Sequence, residues 1–129
     1  MLPLQRRRAW LAGSTLLVLL VVVASLAPSG TVPMPPVSGF DKVEHFVAYA
    51  VLAAWFAGLY PRASYPWIAL GLATLGFVIE VLQQYMGLGR EGDPRDMLAD
   101  LAGIAVGLWL GGAVAGDWAL RVESWLARR

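Results

Sequence analysis

Four long apolar stretches dominate this sequence and restrict the folds open to it. Residues 9–27 carry no charged side chain, and further apolar stretches occupy about 42–60, 66–86 and 96–116. At a rise of 1.5 Å per residue, a helix of about 19 residues reaches ~28 Å, close to the roughly 30 Å hydrocarbon core of a bilayer. The chain is 58% hydrophobic and 15% charged, whereas soluble domains carry roughly 25% charged residues. We therefore predict an all-α membrane protein with four transmembrane helices.

The four spans consume most of the 129 residues, so a single domain, residues 1–129, is predicted. Residues 28–40 hold four prolines and form a predicted loop, because proline fixes φ and removes a backbone donor. Ser25-Leu26-Ala27 resembles a signal-peptide cleavage site. The apolar run is long for a signal peptide and Pro28 would follow the cut, so we predict that the first span is retained.

A short amphipathic helix is predicted for residues 117–129. At helical spacing its apolar face carries Trp118, Val122, Trp125 and Leu126. Its polar face carries Asp117, Arg121, Ser124 and Arg128. A cationic helix of this kind lies in the membrane interface on the side of the anionic inner leaflet.

Basic residues set the predicted orientation, because lysine and arginine concentrate in cytoplasmic loops. With a cytoplasmic N-terminus and four spans, seven of the ten basic residues are cytoplasmic, namely Arg6, Arg7, Arg8, Arg62, Arg121, Arg128 and Arg129. Lys42, Arg90 and Arg95 fall outside. We predict that both termini are cytoplasmic. The aromatic belt at the inner boundary is predicted to comprise Trp10, Tyr60, Tyr65, Trp67 and Trp118.

Polar side chains of the second, third and fourth spans are predicted to meet at the outer end. Asp41, His45 and Tyr49 are spaced four apart and share one face of a helix. Glu80 and Asp100 lie within the apolar register of the third and fourth spans. Ionisable side chains in such segments usually face protein or a water-filled cavity and mark functional sites. We expect His45 to lie within about 12 Å of both Glu80 and Asp96.

Some of these acids also have a purely structural interpretation. Asp41 with Glu44, and Asp93 with Asp96, stand three residues apart at the predicted starts of helices, which is the spacing of an N-cap and its N3 acid. Pro94 would occupy the first helical position.

A stripe of glycines continues the face of Asp100 along the fourth span. Gly103, Gly107 and Gly111 are spaced four apart, and small residues at this spacing usually let another helix approach closely. We predict that this stripe is a packing seam which brings Asp100 to its partners.

The composition also excludes several kinds of site. The chain has no cysteine and one histidine, which excludes thiolate chemistry and multi-histidine zinc sites. One histidine and several carboxylates can form a mixed oxygen and nitrogen metal site, but no His-Glu-x-x-His motif is present, so neither a metal nor another cofactor is predicted. The lipid bilayer is the predicted partner, and no nucleic-acid partner is predicted.

The same polar residues resemble the motifs of the VanZ-like family of small bacterial membrane proteins. The blocks are Asp41-Lys42-x-x-His45-Phe46-x-x-Tyr49, then Glu80-x-x-Gln83, then Arg90 with Asp96 six residues later and Gly103-x-x-x-Gly107. The resemblance covers residues 41–107. It implies a bacterial cytoplasmic (inner) membrane protein, linked through the family's name to resistance to the lipoglycopeptide antibiotic teicoplanin, with no settled catalytic activity. Asp100 stands where the family usually has asparagine, which makes this site more acidic.

Three hypotheses for function remain open. In the first, an outward-facing pocket binds an envelope lipid or glycopeptide-like ligand through Asp41, His45, Tyr49, Glu80, Gln83, Arg90, Asp96 and Asp100. In this pocket Arg90 would be an anion fork. In the second, the same groups only stabilise the bundle, and function lies in a membrane-protein partner. In the third, His45 is a general base, with Glu80 or Asp100 as its orienting acid, in an enzyme acting on a lipid-linked substrate. The sequence shows no evident nucleophile, which favours the binding hypothesis over the enzyme.

Overall fold

The computed structural model describes residues 1–28, 39–87, 93–114 and 116–129, and over these residues the chain is helical. The helices are α1 (Arg7–Leu26), α2 (Phe40–Leu59), α3 (Tyr65–Met86), α4 (Pro94–Trp109) and α5 (Trp118–Leu126). A 3₁₀ turn, Arg62–Ser64, joins α2 to α3, and a π-helical turn, Leu110–Val114, extends α4. Four of the described helices are long and apolar enough to cross a membrane. The predicted all-α membrane fold is confirmed.

The glycine stripe of α4 packs against α2. A methyl group at Gly103 would overlap the backbone of Phe46, and one at Gly107 would overlap the backbone of Ala50. The contacts advance in the same direction along both helices, so α2 and α4 run parallel. At Gly111 an added Cβ would also meet α2. The predicted packing seam is confirmed, and it fixes α4 at backbone distance from α2.

Helix α1 lies at the periphery of the bundle. Ser14 is its buried residue, whereas Leu16, Leu20 and Val23 are 70%, 63% and 66% exposed. Such apolar side chains are covered by lipid in a membrane-spanning helix. Helix α1 therefore contacts the other helices along only a narrow stripe of its surface.

Three tryptophans meet at the end of the bundle that carries both termini. The rings of Trp10, Trp55 and Trp118 form a tryptophan cluster, with centroids 5.3 to 5.7 Å apart. The indole of Trp55 donates to Ser14 Oγ at 2.9 Å. The indole of Trp118 donates to the Ala54 carbonyl at 3.3 Å. Trp10 and Trp118, predicted for the aromatic belt, instead pack against protein in this cluster.

Glu123 of α5 completes this end by accepting hydrogen bonds from the start of α1. Its carboxylate accepts from the backbone N–H groups of Gln5 and Arg6, both at 2.7 Å, and from the Trp10 indole at 2.8 Å. The first N–H groups of a helix have no partner within it, so α5 supplies one for α1. Burial acts to raise the pKa of Glu123, but these hydrogen bonds outweigh it and hold the pKa below its usual value.

Helix α5 therefore differs in part from the predicted interfacial helix. Trp118 packs within the protein, and Glu123, for which the sequence suggested no role, is 7% exposed. Val122 and Trp125 are 37% and 49% exposed, and the Arg129 guanidinium lies 4.0 Å from the centre of the Trp125 ring. The outer face thus keeps the aromatic and cationic character of an interfacial helix, while the inner face packs against the start of α1.

Candidate functional site

Four ionisable side chains from three helices meet at the opposite end of the bundle. This polar cluster consists of His45 on α2, Glu80 on α3, and Asp96 and Asp100 on α4. His45 lies ten residues before Trp55 in the sequence, which places the polar cluster about 15 Å along α2 from the tryptophan cluster. The predicted convergence of polar residues from α2, α3 and α4 is confirmed.

His45 lies at the centre of the polar cluster. Its Nδ1 is 2.9 Å from Asp100 Oδ1 and 3.9 Å from Glu80 Oε1, and its Nε2 is 3.8 Å from Asp96 Oδ2. The side chains are 10% exposed for His45, 11% for Glu80, 7% for Asp96 and 0% for Asp100. The expected proximity of His45 to Glu80 and Asp96 is confirmed. The imidazole is held between two carboxylates on one ring edge and one on the other.

Lys42, one turn before His45, binds the carboxylates at the rim of the cluster. Its Nζ lies 3.0 Å from Asp41, 3.1 Å from Asp93 and 3.2 Å from Asp96. Its ammonium group is therefore engaged by three carboxylates from two helices. Lys42 stabilises the association of α2 with α4 and offers little free charge to a ligand.

Asp93 links the start of α4 to α3. Its side chain accepts from the Arg95 backbone N–H at 2.9 Å, and its own N–H donates to Glu80 Oε2 at 3.0 Å. The Arg95 hydrogen bond, with help from Lys42, holds the pKa of Asp93 below its usual value. The predicted N-cap with Pro94 at the first helical position is confirmed, and Glu80 gains a fixed orientation through it.

The corresponding cap predicted for α2 is wrong. The helix begins at Phe40, and Gly39 is the N-cap in a left-handed conformation with φ of 84°. Asp41 thus lies inside the first turn, where its half-exposed side chain binds Lys42. The left-handed backbone at Gly39 starts the helix without a side-chain cap.

Three buried polar atoms of this end have no hydrogen-bond partner among the described residues. They are Tyr49 OH, Glu80 Oε1 and Asp100 Oδ2. A Cβ at Gly76 would lie 2.6 Å from Asp100 Oδ2 and 3.2 Å from Tyr49 OH. Both oxygens therefore pack against Gly76, where the absence of a side chain lets them approach the α3 backbone.

An apolar cleft of about 420 Å³ lies between α1 and α2 and reaches the polar cluster. Its walls include Leu20, Val43 and Val47, which are 63%, 53% and 49% exposed, so it opens on the lipid-facing surface. His45 and Tyr49 also line it. The cleft therefore connects the hydrocarbon region with the polar cluster.

The other predicted ligand-binding residues have different positions. Gln83 is 6% exposed, and its amide donates to the Ser25 carbonyl at 2.9 Å, which ties α3 to the end of α1. Asp41 lies at the rim. Arg90, the predicted anion fork, lies outside the described residues. The structure thus places His45, Tyr49, Glu80, Asp96 and Asp100 together.

Sequence reasoning missed the part played by Lys42, Asp93 and Glu44 at this site. The sequence places Lys42 among the outer basic residues and in the family motif, and Asp93 at a cap, but neither pattern predicts that both touch acids of the site. Glu44 was likewise given a capping role, but it lines the cleft. The sequence feature that could have indicated these contacts is the close spacing of acidic residues and one lysine at the starts of the helices.

Comparison with known protein families, curated proteins and solved structures finds no match to this chain. The fold and the site define the chain as a multi-pass membrane protein with a buried, acidic, histidine-centred cluster at one end. The resemblance to the VanZ-like family stays a prediction.

Proposed function

We propose that this protein binds an amphipathic molecule of the bacterial cell envelope. The apolar chain of the ligand lies between α1 and α2, and its polar end reaches the polar cluster. The observation that carries this proposal is the 420 Å³ cleft, whose lining joins apolar side chains to Glu44, His45 and Tyr49. Its volume lies within the roughly 300–1,000 Å³ of typical small-molecule sites.

The charges at this end favour a head group that donates hydrogen bonds. The described carboxylates there are Asp41, Glu44, Glu80, Asp93, Asp96 and Asp100. They outnumber the described cations Lys42 and Arg95, and Lys42 already binds three of them. Amines, amides and hydroxyls fit such a surface, whereas an anionic group would be repelled. This preference differs from the anion site expected from Arg90.

The resemblance to the VanZ-like family agrees with an amphipathic ligand, because a lipoglycopeptide carries both a lipid and a polar part. We place the polar cluster on the outer side of the cytoplasmic membrane and both termini in the cytoplasm, in line with the distribution of basic residues. Reporter fusions test this orientation. A reporter active only in the cytoplasm should be active at the C-terminus, and activity of a periplasm-specific reporter there would reverse the assignment.

Filling the cleft tests the proposed function. Ala24 lines the cleft, while Ala12 is also an exposed alanine of α1 but does not line it. We expect Ala24→Phe to reduce binding of teicoplanin, or retention of a co-purifying amphiphile measured by native mass spectrometry, about tenfold, which corresponds to roughly 1.4 kcal/mol. Ala12→Phe should leave both unchanged. Equal binding by the two variants would contradict a ligand in this cleft.

Catalysis is a second candidate, favoured by the 2.9 Å contact between His45 Nδ1 and Asp100 Oδ1. A carboxylate at this distance orients an imidazole for proton transfer. Under this alternative, His45→Gln would abolish conversion of a lipid-linked substrate while leaving its retention intact. If ligand is retained unchanged by the wild-type protein over many hours, binding alone is the function.

A further inference from the structure

We infer that His45, Glu80 and Asp100 form a binding site for a divalent transition-metal ion, Zn²⁺ or Mn²⁺, between α2, α3 and α4. Each residue offers one ligand atom, and these atoms lie within 4.8 Å of one another. Two atoms bound to one zinc ion at about 2.1 Å are at most ~4.2 Å apart. His45 Nδ1 already meets this limit with both carboxylates, at 2.9 and 3.9 Å. Neighbouring ligand atoms of a tetrahedral zinc site are roughly 3.4 Å apart, so closing the set around an ion requires side-chain movements of about an ångström.

The surroundings of His45 match those of a metal-binding histidine. Such a histidine commonly directs its second ring nitrogen toward a carboxylate, which fixes the tautomer. Nε2 of His45 lies 3.8 Å from Asp96 Oδ2, and Lys42 holds Asp96 from the other side at 3.2 Å. The ion would take the place of the proton that joins Nδ1 to Asp100, and Nε2 would keep its proton toward Asp96.

A second observation, independent of the number of carboxylates, is that buried polar atoms at this end lack hydrogen-bond partners among the described residues. Asp100 and Tyr49 are 0% and 1% exposed, yet Asp100 Oδ2 and Tyr49 OH have no partner among the described residues. Both atoms lie close to Gly76, and Glu80 Oε1, 3.9 Å from His45 Nδ1, is also without a partner in the described part of the chain. Leaving buried polar atoms unpaired is costly, above all for a charged group. A bound cation would add positive charge beside Asp100, which already contacts His45, and would leave the Tyr49 hydroxyl to bind the ion or donate to Asp100 Oδ2.

The nearest ammonium group, that of Lys42, is engaged by other carboxylates. Within the described ranges, no lysine or arginine forms an ion pair with Glu80 or Asp100, and Lys42 binds Asp41, Asp93 and Asp96. One nitrogen with two or three oxygens is a ligand set that both zinc and manganese accept. The sequence predicted no metal because its ligands form no local motif. Three separate helices supply them.

This inference does not depend on the proposed amphipathic ligand, since the ion would bind to the ligand-free protein. One divalent ion also leaves the described end net acidic, because six carboxylates there face two cationic side chains. The preference for a head group with hydrogen-bond donors is therefore unchanged.

The test uses the full-length chain, purified in detergent, with any histidine tag removed. After treatment with EDTA, Zn²⁺ or Mn²⁺ alone is added back and the bound metal is measured by mass spectrometry. We expect about one ion per chain. Asp100→Asn and Glu80→Gln should each weaken binding at least about tenfold, as expected when a ligand is lost. Asp117→Asn, which removes an exposed carboxylate at the other end, should bind like the wild type.

The single histidine of the chain provides a second measurement that needs no variant. In protein labelled with ¹⁵N-histidine, Zn²⁺ should shift the Nδ1 resonance strongly while Nε2 remains protonated. This spectrum decides the question if Asp100→Asn or Glu80→Gln fails to fold. Sub-stoichiometric metal, an unaltered imidazole spectrum, or equal losses in Asp100→Asn and Asp117→Asn would each overturn the inference.

Discussion

The two ends of the bundle bury polar groups in opposite ways. At the tryptophan cluster each of the three indole N–H groups has an acceptor, and Glu123 accepts three hydrogen bonds. At the polar cluster, the described residues leave Tyr49 OH, Glu80 Oε1 and Asp100 Oδ2 without partners. A fully paired network stabilises a fold, whereas unpaired buried groups lower stability and persist where they serve a ligand. This contrast supports the proposal that the polar end binds a ligand, whereas the paired groups of the tryptophan end stabilise the fold.

Adding one methyl group at each end is the most direct test of this difference between the two ends. At Gly58 an added Cβ would overlap the Trp118 indole, which is packed by two other rings. At Gly76 it would meet Asp100 Oδ2, an oxygen without a hydrogen-bond partner among the described residues, at 2.6 Å. We expect Gly58→Ala to lower the free energy of unfolding by roughly 2–3 kcal/mol, and Gly76→Ala to cost clearly less.

Thermal unfolding in detergent measures both changes. Gly71→Ala is the matched control, because a Cβ there meets nothing within 4 Å, and it should leave stability unchanged or slightly raised. Gly76→Ala should nevertheless impair metal or ligand binding, since the added Cβ would displace the Asp100 carboxylate. If Gly76→Ala destabilises as much as Gly58→Ala, the two ends are equally well packed.

Removing one hydroxyl at each end should change stability by a smaller amount, and only at the tryptophan end should stability fall. Ser14 Oγ accepts from the Trp55 indole and donates to the Trp10 carbonyl, so Ser14→Ala should cost about 1–2 kcal/mol of stability. Tyr49 OH has no partner in the described part of the chain, so Tyr49→Phe should not lower stability. Chemical denaturation of both variants checks the signs. A loss in Tyr49→Phe as large as in Ser14→Ala would show that the phenol is paired.

The smallest expected effect is a pH dependence at the tryptophan end. The pKa of Glu123 is lowered in the fold, so its carboxylate stabilises the protein above the ordinary value of 4.5, and this contribution is lost as pH falls through the lowered pKa. At pH 7, Glu123→Gln should melt a few degrees below the wild type. The difference in melting temperature between the two proteins should disappear in acid, which a series of melting curves at different pH values would measure. A gap independent of pH would mean that charge on Glu123 is irrelevant.

Much of the fold follows from hydropathy and spacing. The four spans, the glycine seam and the Asp93 cap were predictable, because each depends on residues near one another in sequence or on the general affinity of apolar helices for lipid. His45, Glu80 and Asp100 were predictable as a group, since ionisable residues in apolar helices seek one another.

The contacts that a single sequence does not reveal are those between distant elements. Glu123 binds Gln5 and Arg6 more than 110 residues away, and no local pattern marks it as a cap for α1. Gln83 shares a helix face with Glu80 by spacing but contacts α1 instead. The tryptophans resembled an aromatic belt because composition cannot separate a ring that meets lipid from one that meets another ring.

The cleft between α1 and α2 also determines how a ligand arrives. Because it opens among lipid-exposed side chains such as Leu20 and Val43, the proposed ligand would enter it by lateral diffusion within the bilayer rather than from water. Occupancy then follows the mole fraction of the ligand in the membrane, and its partition coefficient multiplies any intrinsic affinity. Dissociation constants measured in detergent micelles would shift with the amount of detergent, while those expressed per lipid in vesicles would stay constant.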